Sequence, residues 1–299
     1  MYSSPNGTGV RAVVRKVTAP ELSARKVSAG ARPISMVTAY DFTMARLLDE
    51  AGVDAILVGD SLGMIVQGLS NTLPVTLDEI CYHGRAVARG LHHAHLVGDL
   101  PFMSYQASTT QAIESAGKLI KEGAFESVKI EGGVEVAESV RRMVQAGIPV
   151  MGHVGLTPQS VHAFGGFKVQ GRGVDGAEKV LEDARALAEA GVFAIVLEAI
   201  PPDLAARVTA ELMIPTVGIG AGRACDGQVL VCTDLLGMSR GHSPKFAKHF
   251  AELGDAIVGA VKSYVSEVEA GTFPGPEHTY KPNAIAPAAD EAPPSELRH

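Results

Sequence analysis

Along most of the chain one pattern recurs. A stretch with apolar residues at helical spacing ends in glycine, and a short, almost continuously apolar run follows. ARLLDEAG precedes VDAILVGD, AGKLIKEG precedes AFESVKIEG, RRMVQAG precedes IPVMGHV, and ALAEAG precedes VFAIVLEA. Glycine after each stretch suits the left-handed position that closes a helix. The runs are rich in Val and Ile and apolar on both faces, as parallel strands covered by helices are. Eight strands are predicted: Ile34–Tyr40, Ala55–Asp60, His95–Leu100, Ser127–Glu131, Pro149–Val154, Ala194–Glu198, Pro215–Gly220 and Gln228–Cys232. Eight parallel strands separated by crossover helices predict an α/β fold, a single-domain (β/α)8 TIM barrel. An open doubly wound sheet is the alternative, weakened because no GxGxxG follows the first strand. A last barrel helix is predicted over Lys245–Ala270, where Phe246, Phe250, Leu253, Ile257, Val261 and Val265 share helical spacing.

The two ends break the pattern. Residues 1–27 mix Ser, Gly, Pro and basic residues and are expected to form an N-terminal extension. Residues 281–299, KPNAIAPAADEAPPSELRH, have little to bury and are expected to be a disordered tail. The barrel is expected to occupy residues 28–280. Two connections exceed simple turns: Ser61–Leu77 after the second strand, and Gly155–Asp175, with FGGFKVQGRG, after the fifth. Both leave the C-terminal ends of strands, the catalytic face of a barrel. The second reads either as a mobile lid or as an oligomer contact.

Composition narrows the function. The 299 residues are 46% hydrophobic with a net charge of −7, and the mean hydropathy is +0.16. A large core is possible, and the acidic balance argues against nucleic acid or an anionic membrane as the main ligand. Cys81, Cys225 and Cys232 form no CxxC pair, so neither a disulfide framework nor a zinc site is expected, and a reducing cytoplasm is the expected location. The N-terminus has no apolar core of a secretory signal, and no run approaches the ~18 apolar residues that read as a membrane span.

Polar residues then fall at telling places. Asp60 ends AILVGD, Asp99 ends HLVGD, Glu131 ends SVKIE, His153 ends VMGH and Glu198 ends AIVLE. Five ionisable side chains at five strand tips converge on one site in a barrel. A single Asp at a tip reads equally well as a helix cap; five are harder to explain that way. Several carboxylates in one pocket repel one another unless one is protonated or a cation is present. Asp60, Asp99 and Glu131, from adjacent strands, are the natural ligands of a hard divalent ion such as Mg2+. No HExxH accompanies them, which disfavours zinc. His92, His93 and His95 lie before the third strand, at the opposite end, and are expected on a surface loop.

Lys129 shares a face with Glu131 by the period of two. It reads as a partner for a substrate carboxylate, as a Schiff-base lysine, or as a counter-ion for the barrel's own carboxylates. Glu198, followed by Ala199, Ile200 and two prolines, reads as a partly desolvated base that removes a proton beside a ketone, with a cation holding the enolate oxygen. His153 reads as a group that orients substrate, as an outer-shell partner of the metal, or as a satisfied polar residue at the mouth. GIGAG, Gly218–Gly222, reads equally as a phosphate-binding turn or as a tight turn.

Taken in order, TAYD (38–41), VGDSLGMIVQG (58–68), TLPVT (72–76), DLPFMSY (99–105), VKIEGG (128–133), GHVGLTPQS (152–160), GGFKVQGR (165–172), VGIGAG (217–222) and PKFAKHF (244–250) resemble the ketopantoate hydroxymethyltransferase family from about residue 28 to 280. Ala199 stands where that family has a small residue or Cys. The resemblance implies a Mg2+-dependent transferase of pantothenate (coenzyme A precursor) biosynthesis. It implies transfer of the one-carbon unit of 5,10-methylenetetrahydrofolate to 3-methyl-2-oxobutanoate through an enolate, giving 2-dehydropantoate. It also implies Asp60, Asp99 and Glu131 at the metal; Asp60, Ser61, Asp99 and Lys129 at the substrate; Glu198 as proton acceptor; and a cytoplasmic homo-oligomer, commonly a decamer. A lyase of other 2-oxo acids, a Schiff-base aldolase using Lys129 and a non-catalytic binding barrel are the rival expectations.

Overall fold

The computed structural model describes residues 15–239 and 244–280. The expected disordered tail, 281–299, lies outside the described residues. The chain divides into two compact units, Met1–Ala251 and Glu252–His299.

In the first unit eight parallel strands close into a barrel in chain order. They are β1 (Ile34–Thr38), β2 (Ala55–Val58), β3 (His95–Asp99), β4 (Ser127–Glu131), β5 (Val150–Gly155), β6 (Ala194–Glu198), β7 (Thr216–Ile219) and β8 (Gly227–Leu230). All eight predicted strands are present, each within two residues of its expected bounds. Among the described residues of this unit, the α-helices of five residues or more are α1 (Ala19–Ser23), α2 (Phe42–Glu50), α3 (Leu77–Ala88), α4 (Thr109–Gly123), α5 (Ala137–Gln145), α6 (Gly173–Ala190) and α7 (Pro202–Glu211). The apolar faces of α2 to α7 pack with the outward strand residues, among them Ile56, Leu96, Val128, Ile130, Ile195 and Leu197, in one continuous layer. Burial of such side chains stabilises by about 1.5–3 kcal/mol each, which is why the strands read as unbroken apolar runs.

A second, separate cluster fills the barrel. It holds Met36, Leu57, Val97, Met151, Val196, Val217 and Val229 from the strands, joined by Val17, Ala19 and Leu22. Residues 17–27, expected in an extension, therefore help close the barrel's N-terminal end. The local signal is a capping box: Thr18 Oγ1 accepts from the Glu21 amide while the Glu21 carboxylate accepts from the Thr18 amide, fixing α1. Polar hubs hold the segment below the strands. Asp226 accepts from Lys26 Nζ at 2.8 Å and from the Val27 and Thr216 amides at 2.8 and 2.9 Å. Asp54 accepts from Arg25 at 2.8 Å, from Arg32, and from the Ser35 amide at 2.9 Å.

His95 departs from its expected place on a surface loop. It begins β3 and is buried, with Nε2 2.9 Å from Ser127 Oγ and its ring edge-on to Phe193. His93 does sit on the loop, its ring 2.9 Å from the Arg15 carbonyl.

In the second unit, α8 (Leu253–Glu269) begins eight residues later than the predicted Lys245. Pro244 lacks an amide proton, and the Phe250 amide donates to the Leu235 carbonyl at 2.8 Å instead of continuing a helix. Phe246 lies over Gly220. Tyr264 of α8 meets Phe273 edge-on, and Phe273 in turn lies against His278.

Candidate active site

The register of the barrel brings the predicted tips together. Asp99 pairs with Lys129 across β3 and β4, Glu131 with His153 across β4 and β5, and Gly155 with Glu198 across β5 and β6. Lys129 and Glu131 are two residues apart, so both side chains turn inward. Asp60 stands just beyond β2, on the same side. The result is a cavity of about 110 Å³ at the C-terminal mouth, lined by Asp60, Ser61, Asp99, Lys129, Glu131, His153 and Glu198 with Thr38, Leu57, Val196 and Ile219. All seven residues predicted for the site are there.

One oxygen from each of Asp60, Asp99 and Glu131 lies within 4.8 Å of the others, and all three residues are buried. Lys129 Nζ is 2.7 Å from Asp99 Oδ1 and 3.7 Å from Glu131 Oε1. Neither Asp99 Oδ1 nor Glu131 Oε1 receives an aligned hydrogen bond, although both are enclosed. Burial, with the charges of Asp99 and Glu131, pushes Asp60 well above the usual carboxylate range. Burial and Glu131 likewise raise Asp99 in spite of Lys129. Burial also opposes the charge on Glu131, but Lys129, His153 and the Gln159 amide hold it below the usual range. Three buried carboxylates around one ammonium, with Glu131 Oε1 enclosed and without an aligned donor, make a donor set that fits a hard divalent cation.

Burial would lower the Lys129 ammonium, but Asp99, Glu131 and Asp60 outweigh it and hold the group above an ordinary lysine. A Schiff-base lysine needs a free amine, so this environment disfavours that reading. His153 bridges the two halves of the site. Its Nδ1 is 3.5 Å from Glu131 Oε1 and 3.3 Å from Lys129 Nζ, and its Nε2 is 3.2 Å from Glu198 Oε2. Burial and Lys129 oppose its charge, yet Glu131 and Glu198 push it up to about 9.

Glu198 is the most open of the acidic tips, with 17% of its side chain exposed. The backbone of Glu198 and Ala199 is held from three sides. The Leu156 amide donates to the Glu198 carbonyl at 2.8 Å, the Ala199 amide to Ile219 at 2.8 Å, and the Gln170 amide to the Ala199 carbonyl at 3.0 Å. Together these hold Ala199 at φ +46°, a left-handed conformation that costs a non-glycine residue roughly 1–2 kcal/mol. Gly155, at φ +96°, makes room for the turn, since a β-carbon there would overlap the Glu198 carbonyl. The long connection after β5 is thus tied to the candidate base through Gln170.

Three further residues belong to the site. Tyr40 Oη is 2.7 Å from Ser61 Oγ, so a buried phenol orients the serine at the pocket wall. Gln159, from the turn Pro158–Ser160, donates through Nε2 to Asp60 Oδ2 at 2.9 Å. Tyr105 Oη, 2.8 Å from Gln159 Oε1, also lies 2.9 Å from the Glu131 carbonyl. In GIGAG, Phe246 covers Gly220 and Pro202 meets Gly222. A larger cavity of about 430 Å³ lies beside the site under the long connection, with Glu131, Tyr105 and Gln159 in its wall.

A family model described as ketopantoate hydroxymethyltransferase matches residues 16–276. A 3-methyl-2-oxobutanoate hydroxymethyltransferase of Syntrophus aciditrophicus (strain SB) is 54% identical over 266 residues, covering 89% of this chain and 97% of its own. One from Anaeromyxobacter sp. (strain Fw109-5) is 55% identical over 281 residues, 92% of each. Among solved structures, a phosphonopyruvate hydrolase superposes with a TM-score of 0.57 at 14% identity, over 85% of this chain and 88% of that one. A 2,3-dimethylmalate lyase of the PEP mutase/isocitrate lyase superfamily gives 0.56 at 19% identity, over 91% and 93%. These two share the barrel.

Proposed function

This chain belongs to the ketopantoate hydroxymethyltransferase family, and on that premise we propose that it moves the one-carbon unit of 5,10-methylenetetrahydrofolate to 3-methyl-2-oxobutanoate, forming 2-dehydropantoate for pantothenate synthesis. One juxtaposition carries the reading: an accessible carboxylate, Glu198, shares a small cavity with a cluster of three buried carboxylates and a charged lysine.

Asp60, Asp99 and Glu131 would hold Mg2+, whose charge, when bound, would stabilise the enolate oxygen and engage the substrate's carboxylate and ketone oxygens. Lys129 and Ser61 contact the oxo acid, the first by charge and the second by its Tyr40-oriented hydroxyl. Asp60 and Asp99 also border the bound acid. Glu198 takes the C3 proton, and His153 beside it orients the carboxylate before transfer. The C3 carbanion equivalent then bonds to the donor's methylene carbon. Both C–N bonds that hold the methylene in the donor break, tetrahydrofolate leaves, and water supplies the hydroxyl oxygen, whether the carbon is attacked as the folate iminium or as formaldehyde. The apolar walls Leu57, Val196 and Ile219 suit the branched carbon chain.

The working form is taken to be a cytoplasmic homo-oligomer, decameric as the family resemblance implies. Among the described residues no helix is long and apolar enough to cross a membrane.

The test is direct: incubate the protein with 3-methyl-2-oxobutanoate and 5,10-methylenetetrahydrofolate, with Mg2+ or with excess EDTA, and follow 2-dehydropantoate by mass spectrometry. Product with metal alone supports the assignment. Product that persists in EDTA removes the cation from the reaction, and no product with any divalent metal removes the proposed activity.

A further inference from the structure

We propose that Gln159 is the positioning residue of the acidic centre, turning one oxygen of each of two carboxylates away so that the other faces a bound divalent cation. The inference rests on the reading of Asp60, Asp99 and Glu131 as metal ligands.

Each of the three carboxylates has one oxygen held by an N–H donor. Asp99 Oδ2 accepts from the Asp60 backbone amide at 3.1 Å. The other two are held by one residue: Asp60 Oδ2 by Gln159 Nε2 at 2.9 Å, and Glu131 Oε2 by the Gln159 backbone amide at 3.1 Å. The opposite oxygen of Glu131, Oε1, is enclosed with no aligned donor, and that of Asp99, Oδ1, has the Lys129 ammonium 2.7 Å away. A carboxylate anchored on one side offers the other in a fixed direction, as the outer shell of a metal site requires.

The glutamine is itself held on every side. It is 5% exposed. The second hydrogen of Nε2 goes to the Leu100 carbonyl at 2.9 Å, and Oε1 accepts from Gln106 Nε2 at 3.1 Å and shares the Tyr105 hydroxyl proton, 2.8 Å away, with the Glu131 carbonyl. Two donors and one doubly accepting oxygen are all used. Rotating the amide would set Oε1 against the Asp60 carboxylate and the Leu100 carbonyl, so the network selects one orientation.

The choice of an amide also matters. A lysine or arginine could hold Asp60 as firmly, but its charge would compete with a metal ion for the carboxylates. Lys129 already places one positive charge in the cluster. Gln159 orients the ligands while leaving their negative charge available. The rigid 3-10 turn that begins at Pro158 sets its backbone amide against Glu131.

The experiment uses the full chain, stripped of metal, with Mn2+ as the probe. Binding is followed by the EPR signal of free Mn2+ and by calorimetry, and thermal melting of the metal-free proteins reports folding. Gln159→Met keeps length and bulk but removes the side-chain donors. The expected result is Mn2+ affinity weakened about 10–100-fold with an altered EPR line shape for the bound ion. A folded Gln159→Met protein that binds Mn2+ within about twofold of the parent overturns the proposal. Should that variant fail to fold, Tyr105→Phe decides, because it removes one of the two donors on Gln159 Oε1 while keeping the ring. A smaller loss in the same direction supports the role, and unchanged binding overturns it. A parent protein that binds no Mn2+ would instead remove the metal centre itself, a failure distinct from that of Gln159 alone.

Discussion

Replacing Lys129 by methionine tests the charge balance on which the site depends. Asp60, Asp99 and Glu131 are buried around one ammonium, 2.7 Å from Asp99 and 3.7 Å from Glu131. Met matches the lysine stem, so the change removes charge with little change in packing. Without metal, the variant leaves Asp60 and Asp99 without a cationic partner. Removing one partner of a buried pair costs about 3–5 kcal/mol, which for a domain of this size is a fall in melting temperature of roughly 6–20 °C. Protons can partly replace the ammonium, because Asp60 and Asp99 already lie above the usual carboxylate range. A carboxylate raised in the folded state stabilises at low pH and loses that contribution as pH rises through its folded value. The deficit of Lys129→Met should therefore widen as pH rises above the usual carboxylate range. Saturating Mg2+ should restore more stability to the variant than it adds to the parent. Differential scanning fluorimetry with and without EDTA reads all three effects. A metal-free variant that melts within about 2 °C of the parent at pH 8.5 would refute the reasoning.

Other expectations follow from the frame. Leu22→Ala should cost about 2–5 kcal/mol by denaturant unfolding, because a fully buried side chain closing the barrel floor leaves a cavity; a loss typical of an exposed site would mean that the floor collapses onto the gap. Asp54 is held below the usual carboxylate range, since the Ser35 and Arg25 hydrogen bonds outweigh burial. Its stabilisation is present above the unfolded value of about 3.9 and disappears as pH falls through the lower folded value, so the melting temperature of Asp54→Asn should fall less steeply below pH 4 than that of the parent. Gly155→Ala should lower turnover more than stability, because the added carbon meets the Glu198 carbonyl and shifts the candidate base. Equal turnover would show that the turn absorbs the change.

Strands and acidic tips were legible for the same reason. A residue buried on both faces must be apolar, so a charged residue at the end of such a run stands out, and Asp99, Glu131 and Glu198 each did. Gln159 did not stand out, because a glutamine after Thr157 and Pro158 reads as solvated loop, and only the fold reveals that it points at Asp60. Tyr40 and Tyr105 were hidden in the same way, as aromatic residues whose hydroxyl partners lie 21 and 54 positions away. The N-terminal floor carried a signal that composition masked, the Thr18–Glu21 capping box between Val17 and Leu22. At the other end, helical spacing through Phe246 and Phe250 misled, since tertiary partners at Gly220 and Leu235 take those residues out of the helix.

The central claim, that Glu198 removes the C3 proton beside the acidic centre, is tested most directly by deuterium exchange. The protein is incubated with Mg2+ and 3-methyl-2-oxobutanoate in D2O without the one-carbon donor, and collapse of the methyl doublet is followed by proton NMR. The parent should catalyse the exchange, and Glu198→Gln should lose it by a factor of about 10²–10⁴ while binding Mn2+ as tightly as the parent. Exchange by Glu198→Gln at the parent's rate would contradict the account.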